Sequence, residues 1–257
     1  MCLILLAYKS HPEYPFVFAA NRDEFYERPS LAADFWKERP DILGGLDLRG
    51  GGTWLGITRK GRFAALTNFR DPSAQKMDAP SRGELVSRFL KSGETAAQYL
   101  RFLEENGPRY NGFSLIFGQV DDLRYYCNRN GSGKLAPGIH GLSNACLDVP
   151  WPKVRRGTAE LKRAVDHRRG VPTEELFTIL ADRSAPEDDN LPLTGVGLEW
   201  ERVLSPLFIV SPVYGTRAST VIVIDRHGSV IFEERTFDEA SQPWMTARFA
   251  FTLKDAR

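Results

Sequence analysis

The 257-residue sequence contains few of the residues that build disulfide frameworks or metal centres. Its cysteines are Cys2, Cys127 and Cys146, and its histidines are His11, His140, His167 and His227. No two cysteines have CxxC spacing and no two histidines have helical ligand spacing, so neither a disulfide framework nor a metal site is indicated. We therefore expect no metal, no cofactor and a reducing, cytoplasmic compartment.

The sequence also lacks an excess of charge of either sign and lacks a long hydrophobic run. Lys+Arg 34 against Asp+Glu 33 gives a net charge of +1, which provides no field that would attract nucleic acid. No apolar stretch approaches the roughly 20 residues that cross a bilayer, and no basic region precedes the first hydrophobic run, as a signal peptide would require. We expect no nucleic-acid partner and no integral membrane segment. The oligomeric state is left open.

Three common active-site motifs are missing from the sequence. It contains no GxxxxGK[ST] loop, no GxGxxG after a strand and no HExxH pair. The glycines at 50–52 precede residues typical of a strand, whereas a phosphate-binding loop leads into a helix. We interpret these glycines as a tight turn.

Apolar runs separated by short polar turns predict antiparallel hairpins in the N-terminal third. Residues 2–9 and 15–20 form one predicted hairpin, and residues 50–57 and 62–68 form another. Residues 25–45 lack a clear period and mix proline, arginine and aromatic residues, so we predict a long ordered loop there.

Helical and β-type segments alternate in groups along the rest of the chain. Ser81 and Glu84 form a capping-box pattern ahead of an apolar stretch. Further helices are predicted at 95–105, 151–165 and 173–181, an exposed loop at 182–197, and strands at 113–117, 123–127, 139–143, 208–210, 220–225 and 229–234. Hairpins separated by helical pairs favour an α+β fold with antiparallel sheets. No repeat or linker divides the chain, so we predict a single domain over residues 1–257.

The dipeptide Met1-Cys2 opens the first predicted strand. Cysteine is small enough for a preceding initiator methionine to be removed, which would leave a thiol and a free α-amine on adjacent carbons. Such an amine can act as the base toward the thiol of an N-terminal nucleophile. A cysteine in a buried strand can equally serve as a small hydrophobic residue.

Polar residues stand at the ends of several apolar runs and form the candidate site. The candidate catalytic residues are Cys2, Asp23, Asn68, Asn144 and Arg217, and the candidate substrate-binding residues are Asn21, Arg22, Trp54 and Arg70. Asp23 would orient the terminal ammonium, Arg22 or Arg217 would lower the pKa of the thiol, and Asn68 and Asn144 would donate hydrogen bonds to an oxyanion. Turn formation, salt bridges and core packing are the competing roles for these residues.

Seven short segments together resemble the NRDE family, which includes the transport and Golgi organisation protein 2 homologues. They are Met1-Cys2, Asn21-Arg22-Asp23-Glu24, Gly51-Gly52-Thr53-Trp54-Leu55-Gly56, Leu66-Thr67-Asn68-Phe69-Arg70, Gly141-Leu142-Ser143-Asn144, Pro150-Trp151-Pro152-Lys153 and Gly215-Thr216-Arg217-Ala218-Ser219-Thr220. The resemblance implies an N-terminal nucleophile (Ntn) hydrolase fold, a four-layer αββα sandwich with two antiparallel sheets between helical layers.

The choloylglycine hydrolases and penicillin V acylases are the nearest enzymes in pattern, and they carry Gly-Arg-Asn-x-Asp after the second strand. Here Asp23 matches their aspartate, whereas Ala20 stands where they have arginine. The arginine is displaced to Arg22, which as the strand neighbour of Asp23 is expected to point the other way. By similarity, Asn68 and Asn144 correspond to the two oxyanion-hole residues and Arg217 to a late arginine near the nucleophile.

The resemblance implies an amidohydrolase or acyltransferase that acts on a non-peptide C–N bond of a linear amide, with Cys2 as nucleophile. The alternative is a non-catalytic protein that binds or transports a small molecule such as haem or a lipid, with His140 or Cys146 touching haem iron. A scaffold without a ligand is the third possibility. The ligand is expected to be a hydrophobic acid or amide.

Overall fold

Two antiparallel sheets form the centre of the computed structural model, which describes residues 2–166, 170–239 and 242–254. The six-stranded sheet has the order β10-β1-β2-β11-β12-β13. Its strands are β1 (Cys2–Tyr8), β2 (Phe16–Phe25), β10 (Gly138–Leu142), β11 (Tyr214–Ile224), β12 (Ser229–Phe237) and β13 (Pro243–Thr252). The seven-stranded sheet runs in sequence order and contains β3 (Ser30–Trp36), β4 (Arg39–Asp47), β5 (Leu55–Thr58), β6 (Arg62–Asn68), β7 (Phe113–Gln119), β8 (Asp122–Cys127) and β9 (Gly131–Lys134).

Helices cover the outer face of each sheet. The helices are α1 (Gly83–Lys91), α2 (Ala96–Asn106), α3 (Pro152–Val165), α4 (Thr173–Leu180) and α5 (Leu198–Val203). The pair α1 and α2 packs on the seven-stranded sheet, and α3 and α4 pack on the six-stranded sheet. A third apolar core, which includes Phe18 and Phe63, fills the space between the sheets. This αββα arrangement confirms the predicted fold class.

The apolar first strand is central because both of its faces are buried. Leu3 and Leu5 point toward α3 and α4, whereas Ile4 and Leu6 point into the core between the sheets. The register of β1 against β2 places Cys2 directly opposite Arg22. This register brings Cys2 to the polar end of β2, and a shift of one residue would exchange the two faces of β1.

The prediction of a loop over residues 25–45 is wrong, because this segment contains β3 and β4. β3 is an edge strand in which buried, half-buried and exposed residues follow each other in no regular order. It therefore lacks the alternation that identifies a half-buried strand. β4 contains Pro40 and two glycines, which are uncommon within strands. The strand expected at 208–210 is also absent, apart from an isolated bridge between Val210 and Gly215. The sequence reading missed β9, α5 and β13.

The sequence-based expectation that no disulfide forms is also wrong, because Cys127 and Cys146 are bonded with their Cα atoms 5.9 Å apart. Cys127 lies opposite Ser114 in the β7–β8 pair. The hydroxyl of Ser114 donates to the carbonyl of Ala145 at 2.9 Å, which brings the segment after β10 beside β8. This contact is long-range, so cysteine spacing does not reveal it.

Candidate active site

Cys2 lies half-buried at the start of β1 and lines a polar cavity of about 270 Å³. It is the only free cysteine among the residues that the structure describes. The backbone N–H of Asp23 donates a hydrogen bond to its sulfur. Burial raises the pKa of the Cys2 thiol, the negative charge of Asp23 raises it further, and the positive charge of Arg22 lowers it. The donor and the cation would both stabilise a thiolate at this position.

Asp23 is also among the residues that line this cavity, and its carboxyl group is held from β11. Its Oδ1 accepts a hydrogen bond from the Thr216 hydroxyl at 2.7 Å, and its carbonyl accepts one from the Tyr214 hydroxyl at 2.9 Å. Burial raises the pKa of Asp23, while the positive charge of Lys153 and the Thr216 hydrogen bond oppose that shift. Asp23 is therefore positioned with limited freedom beside the nucleophile candidate.

Asn68 and Asn144 are joined to each other near Cys2. Asn68 ends β6 and lines the cavity, and its carbonyl accepts from Nδ2 of Asn144 at 2.9 Å. Ser143 donates to the carbonyl of Cys2 at 3.2 Å, which ties the end of β10 to the start of β1. Asn144 is fully buried, so its amide is fixed by these contacts. The two asparagines and Cys2 thus belong to one connected cluster.

Arg22 lies on the same face of the sheet as Cys2, and its guanidinium stacks on the indole of Trp54 at 4.3 Å. The indole has room because residue 45 is glycine: a Cβ at Gly45 would lie 2.4 Å from its Cη2 atom. Arg22 is 5% exposed, and its Nη1 has no hydrogen-bond partner among the described residues. A buried guanidinium beside a cavity is suited to bind an anion or a polarised carbonyl.

Lys153 and Arg82 are cations near Cys2 that the sequence reading did not select as site residues. Lys153 is buried at the start of α3, where its Nζ donates to the carbonyl of Leu204 at 3.0 Å. Burial lowers its pKa to about 8, although the negative charge of Asp23 opposes the change. Lys153 lies on the same face of α3 as the buried residues 157, 161 and 164. This helical spacing is the sequence pattern that could have predicted the burial of Lys153.

Arg82 lines the Cys2 cavity from the segment before α1. Its Nη1 donates to the carbonyl of Gly112 at 2.9 Å. Burial lowers the pKa of Arg82, and the negative charge of Cys2 opposes that shift. No sequence motif distinguishes this arginine from the surface arginines, because its burial depends on the packing of distant segments.

Arg217 lies in a neighbouring cavity and not in the cavity of Cys2. The β11–β2 register shifts between Thr216 and Ala218, so Arg217 is the extra residue of a bulge. Its Nη1 donates to the carbonyl of Tyr26 at 2.6 Å. The structure thus gives Arg217 a contact with the loop after β2 and no contact with Cys2.

Asn21 and Arg70 are buried in positions that support the site from outside the cavity. The Asn21 amide donates to the carbonyls of Leu180 and Leu207 at 2.9 and 2.8 Å, which joins β2 to the helical layer. The Arg70 guanidinium forms a buried ion pair with Glu201 at 2.5 Å. It also donates to Oδ1 of Asn144 at 3.4 Å. Arg70 therefore helps to position one of the two asparagines.

The described residues contain no group of three or more His, Cys, Asp and Glu side chains that could hold a metal ion. Both ring nitrogens of His140 are occupied, by Asp148 at 2.8 Å and by the carbonyl of Ala136 at 2.8 Å. Cys146 is in the disulfide. Neither side chain is therefore available to haem iron in this structure. Across the described ranges, no helix has the length and hydropathy needed to cross a membrane.

The sequence and the fold both match known proteins. The profile of the family described as Transport and Golgi organisation 2 matches residues 1–239. The mouse Transport and Golgi organization 2 homolog is 38% identical over 276 residues, which is 99% of this chain and 100% of the mouse protein. The human homolog is 37% identical over 276 residues, with the same shares.

A solved structure of a mutant conjugated bile acid hydrolase from Clostridium perfringens has the same fold. It superposes with a TM-score of 0.54 at 9% sequence identity, over 99% of this chain and 97% of that chain. The likeness extends over both sheets and their helical layers, and the fold is that of the Ntn hydrolases. The full-length match to the mouse and human proteins shows that this chain belongs to the Transport and Golgi organisation 2 family.

Proposed function

We propose that this protein is a cysteine amidohydrolase that cleaves a non-peptide C–N amide bond, with Cys2 as the nucleophile. The observation that carries the proposal is the position of Cys2, whose thiol is free and lines one polar cavity with Asp23 and Asn68. The proposal requires removal of Met1, which lies outside the described residues. A cytoplasmic location stays a prediction.

The reaction begins with transfer of the Cys2 thiol proton to its own α-amine. The thiolate attacks the amide carbon and forms an S–C bond, and the carbonyl oxygen becomes an oxyanion. The C–N bond then breaks, and the leaving amine takes the proton from the α-ammonium. Water attacks the resulting thioester, the S–C bond breaks, and the carboxylic acid leaves with the thiol restored. Asp23 would orient the ammonium throughout.

Asn68 is the proposed donor to the oxyanion, and Asn144 is proposed to hold it in position. Asn68 lines the Cys2 cavity, whereas Asn144 is fully buried, is not among the lining residues and donates one amide hydrogen to the carbonyl of Asn68. A donor already fixed by a neighbouring hydrogen bond needs little reorganisation when charge develops. Removal of one such donor costs about 2.7–4 kcal/mol of transition-state stabilisation in well-studied enzymes.

Arg22 is the proposed cation that favours the thiolate. It lies opposite Cys2 in the sheet, whereas Arg217 lies in another cavity. The displacement of the arginine from position 20 to position 22 keeps it on the same face, because residues two apart in a strand share a face. Arg22 therefore remains beside the nucleophile even though it faces away from Asp23.

An amide-hydrolase screen that compares wild type with Cys2→Ala tests this proposal. We expect wild type to release amine from a linear amide and Cys2→Ala to release none above background. Cys2→Ala removes only a sulfur atom from a half-buried position, so its unfolding transition should match wild type and serve as the control. Equal turnover by the two proteins would show that Cys2 is not the nucleophile, and no turnover by wild type would favour the non-catalytic binding alternative.

A further inference from the structure

A large apolar cleft separates the edges of the two sheets. It has a volume of about 870 Å³ and is lined mainly by residues of β3, β4, β13 and α1. The lining is mostly apolar but also includes the charged residues Asp34, Lys37, Glu38, Arg39 and Lys91. β3 ends the seven-stranded sheet and β13 ends the six-stranded sheet, so neither has a further strand on this side. The volume lies within the range of ligand pockets, about 300–1,000 Å³.

The cleft lies along the two edge strands. Its lining includes Leu31 and Phe35 of β3 and Met245 and Phe249 of β13. The rings of Phe35 and Phe249 lie 5.6 Å apart. The distance from residue 31 to residue 35 is about 13 Å at roughly 3.3 Å per strand residue. A long apolar cleft of this kind fits a linear hydrocarbon chain.

A smaller cavity of about 250 Å³ lies between this cleft and the Cys2 cavity, because it shares lining residues with both. It shares Leu31 and Met245 with the cleft. It shares Arg22 and Trp54 with the cavity that contains Cys2. The stacked pair of Arg22 and Trp54 therefore separates the polar cavity at Cys2 from this smaller cavity.

Large apolar side chains are exposed where the cleft meets the smaller cavity. Leu31 is 50% exposed, Trp244 is 77% exposed and Met245 is 42% exposed. All three line the connecting cavity. A cluster of exposed apolar residues beside a cavity is typical of a ligand-binding or interaction surface.

We propose that the cleft between β3 and β13 binds the linear acyl chain of the substrate, while the polar cavity at Cys2 holds the amide and its amine portion. This inference rests on the proposed amidohydrolase function and deepens it. The substrate would extend past Trp54 and Arg22, with its carbonyl carbon at Cys2 and its chain between the sheet edges. It predicts a preference for amides of long-chain acids over short-chain ones.

Alkylation of Cys2 by two chloromethyl ketones tests the chain site, because their alkyl group is attached to the carbonyl carbon, as the acyl chain of the substrate is. Thiolate displacement of chloride is the same for the methyl ketone and the dodecyl ketone, so their rate ratio reports the chain. We expect wild type to favour the dodecyl probe by roughly tenfold or more, since burial of one methylene is worth a factor of about four. Ala247→Trp places an indole in the cleft and should abolish this preference while labelling by the methyl ketone is unchanged.

Ala250→Trp is the matched control, because Ala250 lies on the same strand and is not part of the cleft lining. It should keep the dodecyl preference. A wild-type protein without the preference, or an Ala247→Trp variant that retains it, would overturn the chain site. Peptide mapping after digestion confirms that the label is on Cys2.

A binding measurement separates failure of the chain site from failure of the hydrolase proposal. The fluorescence of cis-parinaric acid reports binding to Cys2→Ala, which has no nucleophile at this position. If neither probe labels Cys2, the hydrolase proposal fails. The binding of parinaric acid then tests independently whether the cleft binds a hydrocarbon chain. Binding that Ala247→Trp abolishes and Ala250→Trp preserves supports the chain site. No binding, or equal binding by both variants, overturns it.

Discussion

Replacement of Arg70 by methionine should destabilise the protein strongly, because it leaves a buried carboxylate without its cation. The guanidinium of Arg70 lies 2.5 Å from Glu201, and the side chains of both residues are 3% exposed. Glu201 keeps its hydrogen bonds from the backbone N–H and the hydroxyl of Thr194. These neutral donors do not replace a full positive charge in a desolvated site.

The expected loss is about 3–5 kcal/mol of unfolding free energy, the usual cost of removing one partner of a buried ion pair. The Arg70→Met/Glu201→Leu double variant should recover most of this loss, because neither partner of the ion pair is then left buried without the other. Arg202→Met is the surface control, since Arg202 and Asp188 are 45% and 47% exposed and their pair should contribute about 0–1 kcal/mol.

Urea unfolding curves of these variants give the comparison directly. If Arg70→Met loses no more stability than Arg202→Met, the buried pair does not have the energetic role that its geometry indicates. If the double variant is as unstable as the single variant, the loss comes from packing against Trp151, on whose ring Arg70 lies at 4.8 Å, and not from an unpaired charge.

Two further results are expected. Cys127 and Cys146 are bonded, so a thiol-reactive dye should detect one thiol, that of Cys2, in the denatured unreduced protein and three thiols after reduction. Three thiols before reduction would contradict the disulfide. Lys153→Met should raise the pKa of Asp23, since the cation opposes the effect of burial. As the solution is acidified, Asp23 would then become protonated at a higher pH than in wild type. The acidic limb of the pH profile of Cys2 alkylation should therefore shift to higher pH. An unshifted limb would contradict this coupling.

The central strands and the position of Cys2 follow from local patterns in the sequence. The continuous apolar run after Cys2 predicts a strand that is buried on both faces, and in the hairpin with β2 Arg22 lies opposite Cys2. The ends of the apolar runs also locate Asp23 and Asn68, which line one cavity with Cys2. Their catalytic roles stay predictions.

Other features depend on contacts that no local pattern records. Arg217 leaves the Cys2 cavity because of one bulge in β11, and a bulge of this kind has no clear sequence pattern. Lys153 enters the site because α3 packs its buried stripe on β1. The sequence prediction missed both walls of the apolar cleft. β3 is an edge strand without regular alternation, whereas residues 245–252 of β13 do alternate, so this signal was available.

Intact-mass spectrometry of the protein, before and after incubation with the dodecyl chloromethyl ketone, tests the central claim most directly. We expect a starting mass that lacks Met1 and a single added group, which peptide mapping locates on Cys2. A protein that retains Met1 and gains no group on Cys2 would contradict the claim that this thiol is the nucleophile.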